Sequence, residues 1–117
     1  MRNSRYPRTA RLNELVREII AEELERVDDE RLELVAVTQV VVDRDLRHAV
    51  VYFDSLAGAD GDADVLEALG DHRVRLQGAI ARQARMKRTP ELAFRPDDVA
   101  RDADRVEGIL RELHEKE

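Results

Sequence analysis

The stretch Leu34–Asp54, LVAVTQVVVDRDLRHAVVYFD, decides the fold. Leu34–Asp43 is β-branched and apolar on both faces, the pattern of a central strand. Asp43-Arg44-Asp45-Leu46-Arg47 is a turn, and His48–Asp54 is a second strand. So short a connection predicts a hairpin. Upstream, Thr9 is placed to cap a helix running to about Val27. In it Leu12, Leu15, Val16, Ile19, Ile20, Leu24 and Val27 recur at helical spacing. Asp28-Asp29-Glu30 ends that helix.

Downstream, Ser55–Gly61 reads as a loop. A short helix from about Ala63 to Leu69 turns Val65, Leu66 and Leu69 inward, and Gly70-Asp71-His72 breaks it. A second helix, Val74–Met86, runs on until Thr89-Pro90 stops it, because proline removes a donor and restricts the residue before it. Leu92 and Phe94 then alternate with Glu91, Ala93 and Arg95 as a short third strand. Pro96-Asp97-Asp98 opens a last helix, with Val99, Ala103, Val106, Leu110 and Leu113 as its inner stripe. The order is α-β-β-α-α-β-α. The two helices between strands two and three form a crossover, which places strand three parallel to strand one. The expectation is a single α+β domain with a three-stranded mixed sheet of order 2-1-3 and helices packed on one face. Residues 1–8 are expected to be a flexible basic N-terminal arm, and residues 9–117 the domain itself.

Charge is unevenly placed. Arg73–Arg95 holds seven basic residues (Arg73, Arg75, Arg82, Arg85, Lys87, Arg88 and Arg95) against Glu91, a net of +6 in a chain of −6. Residues 1–17 add +4, so the rest carries −16. No acid lies between Asp71 and Glu91. On the Val74–Met86 helix, Leu76, Ile80 and Ala84 share one face while Arg75, Arg82 and Arg85 gather opposite. A solvated helix usually mixes both signs, because opposite charges four apart stabilise it. A purely cationic face points to a polyanion, phosphate first; the alternative is a solvated face balancing acids elsewhere. The candidate residues for contact with RNA or another polyanion are Arg73, Arg75, Arg82, Arg85, Lys87, Arg88 and Arg95, joined by Arg5, Arg8 and Arg11 of the N-terminal segment. Gly78, Ala79 and Ala81 make a small-residue patch that either admits RNA to the backbone or packs against a neighbouring helix. With only four aromatic residues, Tyr6, Tyr52, Phe53 and Phe94, base stacking is not the expected mode.

Other chemistries find little footing. There is no cysteine, hence no disulfide or thiolate metal site. His48, His72 and His114 fall in three different elements. Asp60-Gly61-Asp62-Ala63-Asp64 resembles the start of a calcium loop, but Val65 stands where glycine is needed and Asp71 where a bidentate glutamate belongs. Neither Ser4 nor Ser55 sits in a nucleophile motif, and no phosphate-cradling glycine loop is present. No catalytic residue, cofactor or metal is expected. No apolar run approaches the ~20 residues of a membrane span, and the N-terminus lacks the apolar segment of a signal peptide. A soluble, cytoplasmic protein is expected.

The layout resembles the type II KH domain, an RNA-binding module, and the chain resembles the ribosome-binding factor A family. The resemblance rests on the Arg-rich start leading into the Leu/Ile helix at Arg8–Val27, and on Asp29-Glu30-Arg31-Leu32 before the first strand. It rests most on Val37-Thr38-Gln39-Val40-Val41-Val42-Asp43-Arg44-Asp45-Leu46 running into Ala49-Val50-Val51-Tyr52-Phe53. Pro90-Glu91-Leu92-Ala93-Phe94 with Asp97-Asp98, and the closing Arg105-Val106-Glu107-Gly108-Ile109-Leu110, complete it. There are departures. Glu30 stands where the family usually has proline. His72-Arg73-Val74 occupies the place of an Ala-x-Gly kink, with Gly70 two residues earlier. Gln77 stands where relatives usually carry arginine.

The resemblance implies a non-enzymatic assembly factor. It would bind the immature small ribosomal subunit through its ribosomal RNA, assist late maturation of that RNA, and matter most in the cold. In some members a ribosome-associated GTPase helps the factor leave. From the residues alone, no extra apolar stripe demands a dimer, and a monomer is expected. The residues alone leave two rivals open: a protein-interaction domain whose basic face meets an acidic protein, and a small nuclease.

Overall fold

In the computed structural model, which describes residues 8–115, the hairpin forms as expected. β1 (Val35–Val42) and β2 (His48–Ser55) pair antiparallel. Val37 lies opposite Phe53 and Gln39 opposite Tyr52, so Thr38 is an extra residue in β1. Such a bulge shifts the side-chain alternation by one place. Val37, Val40 and Val42 therefore all face the core, although strict alternation would separate position 37 from 40 and 42.

The sheet order corrects the expectation. It is β1-β2-β3, not 2-1-3, with β3 (Glu91–Pro96) parallel to β2 and β1 at an edge. The crossover leaves from β2 and returns beside it. β2 accordingly has the burial of a central strand: Ala49, Val51 and Phe53 are at most 1% exposed. The apolar look of both faces of β1 comes from the bulge and from Val41, which is exposed on the far side.

Three helices cover one face of the sheet: α1 (Arg8–Glu25), α2 (Asp62–Asp71) and α3 (Arg73–Gln83). Val16, Ile19 and Ile20 of α1 meet Leu76, Ala79 and Ile80 of α3 over the inward valines of β1 and β2. Val65, Ala68 and Leu69 of α2 close a second cluster around Phe53. Leu15 and Leu66, both expected inward, lie at the margins of their stripes and are exposed. Thr9 falls inside the first turn of α1 rather than before it. α3 ends at Gln83, short of Met86. Ala84 is extended there, which lets Ala84 and Met86, two residues apart, both reach the core.

The last helix, α4 (Asp98–Glu115), departs most from expectation. It was expected on the same face of the sheet, with its apolar stripe inward. Its root is fastened to the body. Asp97 accepts a hydrogen bond from the Ala100 N–H (3.0 Å) and from the Thr38 hydroxyl, and its own N–H donates to the Phe53 carbonyl (2.7 Å). Arg101 grips Asp54 through Nε (2.9 Å) and Asp62 through both terminal nitrogens (2.6 and 2.8 Å). At ~100° per residue, Arg101 lies nearly opposite the stripe. Its ion pairs hold the polar side of the helix to the body, so the stripe faces away. Val99 is 79% exposed, and Val106, Ile109, Leu110 and Leu113 are all more than half exposed.

Candidate nucleic-acid interface

The fold brings two basic sequence segments to one end of the molecule. Asn13, near the start of α1, accepts a hydrogen bond from the Val42 N–H at the end of β1 (2.8 Å). Glu23, near the end of α1, pairs with Arg75 at the start of α3 (2.8 Å). α1 and α3 therefore run antiparallel, and the end of α3 lies beside the start of α1. The loop after α3 arrives at the same place, because the Glu91 N–H donates to the Arg47 carbonyl in the hairpin turn (2.9 Å). Arg8 and Arg11 at the start of α1 share this end with Arg82 in the last turn of α3 and with Arg85, Lys87 and Arg88 in the loop. Among the described residues Arg11, Arg82, Arg85, Lys87 and Arg88 form no ion pair. Cations at the end of α3 also face the negative pole of its dipole, which favours them there.

The opposite end is acidic. Asp28, Asp29, Glu30 and Glu33 follow α1, and Asp60, Asp62, Asp64, Glu67 and Asp71 lie along α2 and its approach. Arg31 joins the two groups, bonding Asp29 at 2.7 Å, Asp71 at 3.0 Å and Glu67 at 3.4 Å.

Three of the predicted residues stand apart from the basic end. Arg75 is not a free cation. Besides Glu23 it reaches the Arg26 carbonyl (3.2 Å), tying α3 to the end of α1. Glu23 is buried, and Arg75 holds its carboxyl below the usual range. Arg73 sits at the far end of α3 over the Phe94 ring, 5.8 Å from its centroid. Arg95 is exposed on the open face of the sheet, the side opposite Leu92 and Phe94. Arg85 lies beyond α3 rather than on its face. Arg5 lies outside the described residues.

Nor do the cations form the crest of α3. With Leu76, Ala79 and Ile80 turned to the core, the outermost line of the helix is Val74, Gly78 and Ala81. Arg75 and Arg82 flank it on the α1 side, and Arg73 and Gln77 on the β3 side. Packing accounts for Ala79 alone of the small-residue patch. A Cβ on Gly78 would sit 3.3 Å from an Arg82 terminal nitrogen, so the guanidinium lies back over Gly78. The outermost line of α3 is thus made of small residues at Gly78 and Ala81, with the Arg82 cation lying over the glycine.

Position 77 has a structural task. The Gln77 Oε1 accepts a hydrogen bond from the Leu92 N–H on the free edge of β3 (3.1 Å). Arginine has no acceptor and cannot do this. The break between α2 and α3 is a single residue, His72, whose Nε2 lies 2.9 Å from Asp29. No glycine is needed, because φ there is −100°. Arg31 first, then His72, holds the Asp29 carboxyl far below its usual range.

Sequence reasoning missed Arg44 and Arg47. They lie in the hairpin turn at the basic end, masked by Asp43 and Asp45 in any local sum of charge. Their only signal is topological. Among the described residues no three His, Asp or Glu side chains are grouped to hold a metal ion, and no helix is long and apolar enough to cross a membrane.

A family model for ribosome-binding factor A matches residues 8–110. The chain belongs to the ribosome-binding factor A family. It is 38% identical over 107 residues to ribosome-binding factor A of Rubrobacter xylanophilus, spanning 91% of this chain and 87% of that one. The crystal structure of ribosome-binding factor A from Thermus thermophilus superposes with a TM-score of 0.68 at 34% identity, covering 75% of this chain and 94% of that one. A homology model of the Thermus thermophilus factor, as fitted into a cryo-EM map of a 30S complex, matches with a TM-score of 0.61 at 34% identity, covering 73% of this chain and 90% of that one.

Proposed function

We propose that this chain is a non-enzymatic assembly factor that binds the immature small ribosomal subunit through its ribosomal RNA. It acts in the cytoplasm, as a monomer, in the late maturation and processing of that RNA, with its largest effect in the cold. The carrying observation is the gathering of Arg8, Arg11, Arg82, Arg85, Lys87 and Arg88 at one end of an otherwise acidic protein. Arg11, Arg82, Arg85, Lys87 and Arg88 form no ion pair among the described residues, and unpaired cations on one surface are what phosphate contact requires. Family membership and the relative fitted into a 30S complex support the choice of partner.

Co-sedimentation with purified immature and mature small subunits, at two salt concentrations, tests this. Binding is expected to favour the immature particle. The double reversal Arg82→Glu with Arg85→Glu is expected to weaken it at least tenfold while circular dichroism and the unfolding midpoint stay unchanged. Undiminished binding by that variant removes the proposed face. Equal binding to any RNA reduces the protein to a generic polyanion binder.

A further inference from the structure

The exposed side of α4 is the largest feature that RNA binding leaves unused. Val99, Ala103, Val106, Leu110 and Leu113 are spaced 4-3-4-3, the seam by which one helix packs on another. An 18-residue helix is about 27 Å long, and its first turn is fastened to the body. Most helical stability in proteins comes from packing an apolar face rather than from propensity, and a contiguous exposed apolar stripe marks an interaction site.

Charge selects the occupant. α4 carries six acids against three arginines, which disfavours RNA. The seam is bordered by Asp102 and Glu107. A second copy would bring like charges together. In parallel, Asp102 would flank the second copy's Glu107; antiparallel, with Val106 opposite Leu110, Glu107 would face its own counterpart. We propose that α4 docks an amphipathic protein helix with basic flanks on the small-subunit particle. This rests on the functional reading above. Two heptads of contact fall short of the ~1,200–2,000 Å² of a stable interface. The contact therefore works as a second, tethered attachment that adds to the RNA contact through effective concentration.

The test places the photo-crosslinking residue p-benzoylphenylalanine at position 106 and irradiates the chain bound to purified immature small subunits. Adducts are identified by mass spectrometry after nuclease and protease digestion. The expected adduct is a protein peptide with net positive charge and apolar residues at 3–4 spacing. An adduct to RNA, to another copy of the chain or to an acidic peptide overturns the proposal, and so does no adduct from chain that co-sediments. Failure to co-sediment overturns the functional reading, and this proposal with it. In parallel, Val106→Asp with Leu110→Asp, at sites already exposed, is expected to weaken particle binding three- to tenfold. Affinity for an isolated fragment of the ribosomal RNA should not change. Unchanged particle binding overturns the docking role; equal losses on both targets assign the helix to RNA.

Discussion

Three side chains show how little a residue's type says of its task. Arg75 belongs to the most basic stretch of the chain, yet it neutralises a buried glutamate 52 residues earlier. Gln77 holds the edge of a strand. Exchanging it for arginine leaves the buried Leu92 N–H without its acceptor. The expected loss is about 1–3 kcal/mol, read as a lower urea midpoint at unchanged slope; an unchanged midpoint means water has replaced the amide. Asp29 makes stability depend on pH. Its carboxyl is held well below the usual range, chiefly by Arg31 and next by His72. The unfolded chain therefore binds this proton more readily than the folded one. The stabilisation is complete above the ordinary carboxylate range, near pH 4, and fades as pH falls. Asp29→Asn should lower the melting temperature near pH 7 and approach wild type in acid; a constant gap from pH 7 to pH 2.5 contradicts the role given to the Asp29 carboxylate.

At the scale of elements, helices and strands were legible where periodicity is long. The stripe of α1, the hairpin and the Leu92/Phe94 alternation all appear where the residues place them. What periodicity omits is the partner. It marks Val106, Leu110 and Leu113 as one side of a helix and is silent on what that side meets. The decisive contact is Arg101 with Asp54 and Asp62, residues 47 and 39 positions away. The sheet order failed for a related reason. Two apolar faces on Leu34–Asp43 mimic a central strand, and one extra residue, Thr38, produces the same look at an edge. Because the stripe of α4 lies off the core, a chain ending after Ala103 keeps Asp97 and Arg101 and should melt within a few degrees of the full chain by calorimetry. A fall of ten degrees or more means the distal helix packs on the body. Ile80→Ala, at a fully buried site of α3, should cost about 2–5 kcal/mol, measured by chemical unfolding.

At the scale of the whole molecule, the candidate site was half legible. A +6 stretch announces a polyanion, but only the antiparallel course of α1 and α3 joins it to Arg8 and Arg11 and adds Arg44 and Arg47. The same course sends Arg73 and Arg95 elsewhere. If about four phosphates are neutralised, doubling the salt should weaken binding to duplex RNA roughly tenfold, judged from the counterion-release slope known for DNA; a flat response points to a partner that is not a polyanion. Charge of opposite sign at the two ends also acts before contact. In the field of any polyanion the protein experiences a torque, like a compass needle, that swings its cationic end forward and its acidic end back. If the cationic end is the RNA-contacting one, as proposed above, the productive orientation is enriched during approach, so that part of the selectivity is exercised at a distance, in the rate of arrival.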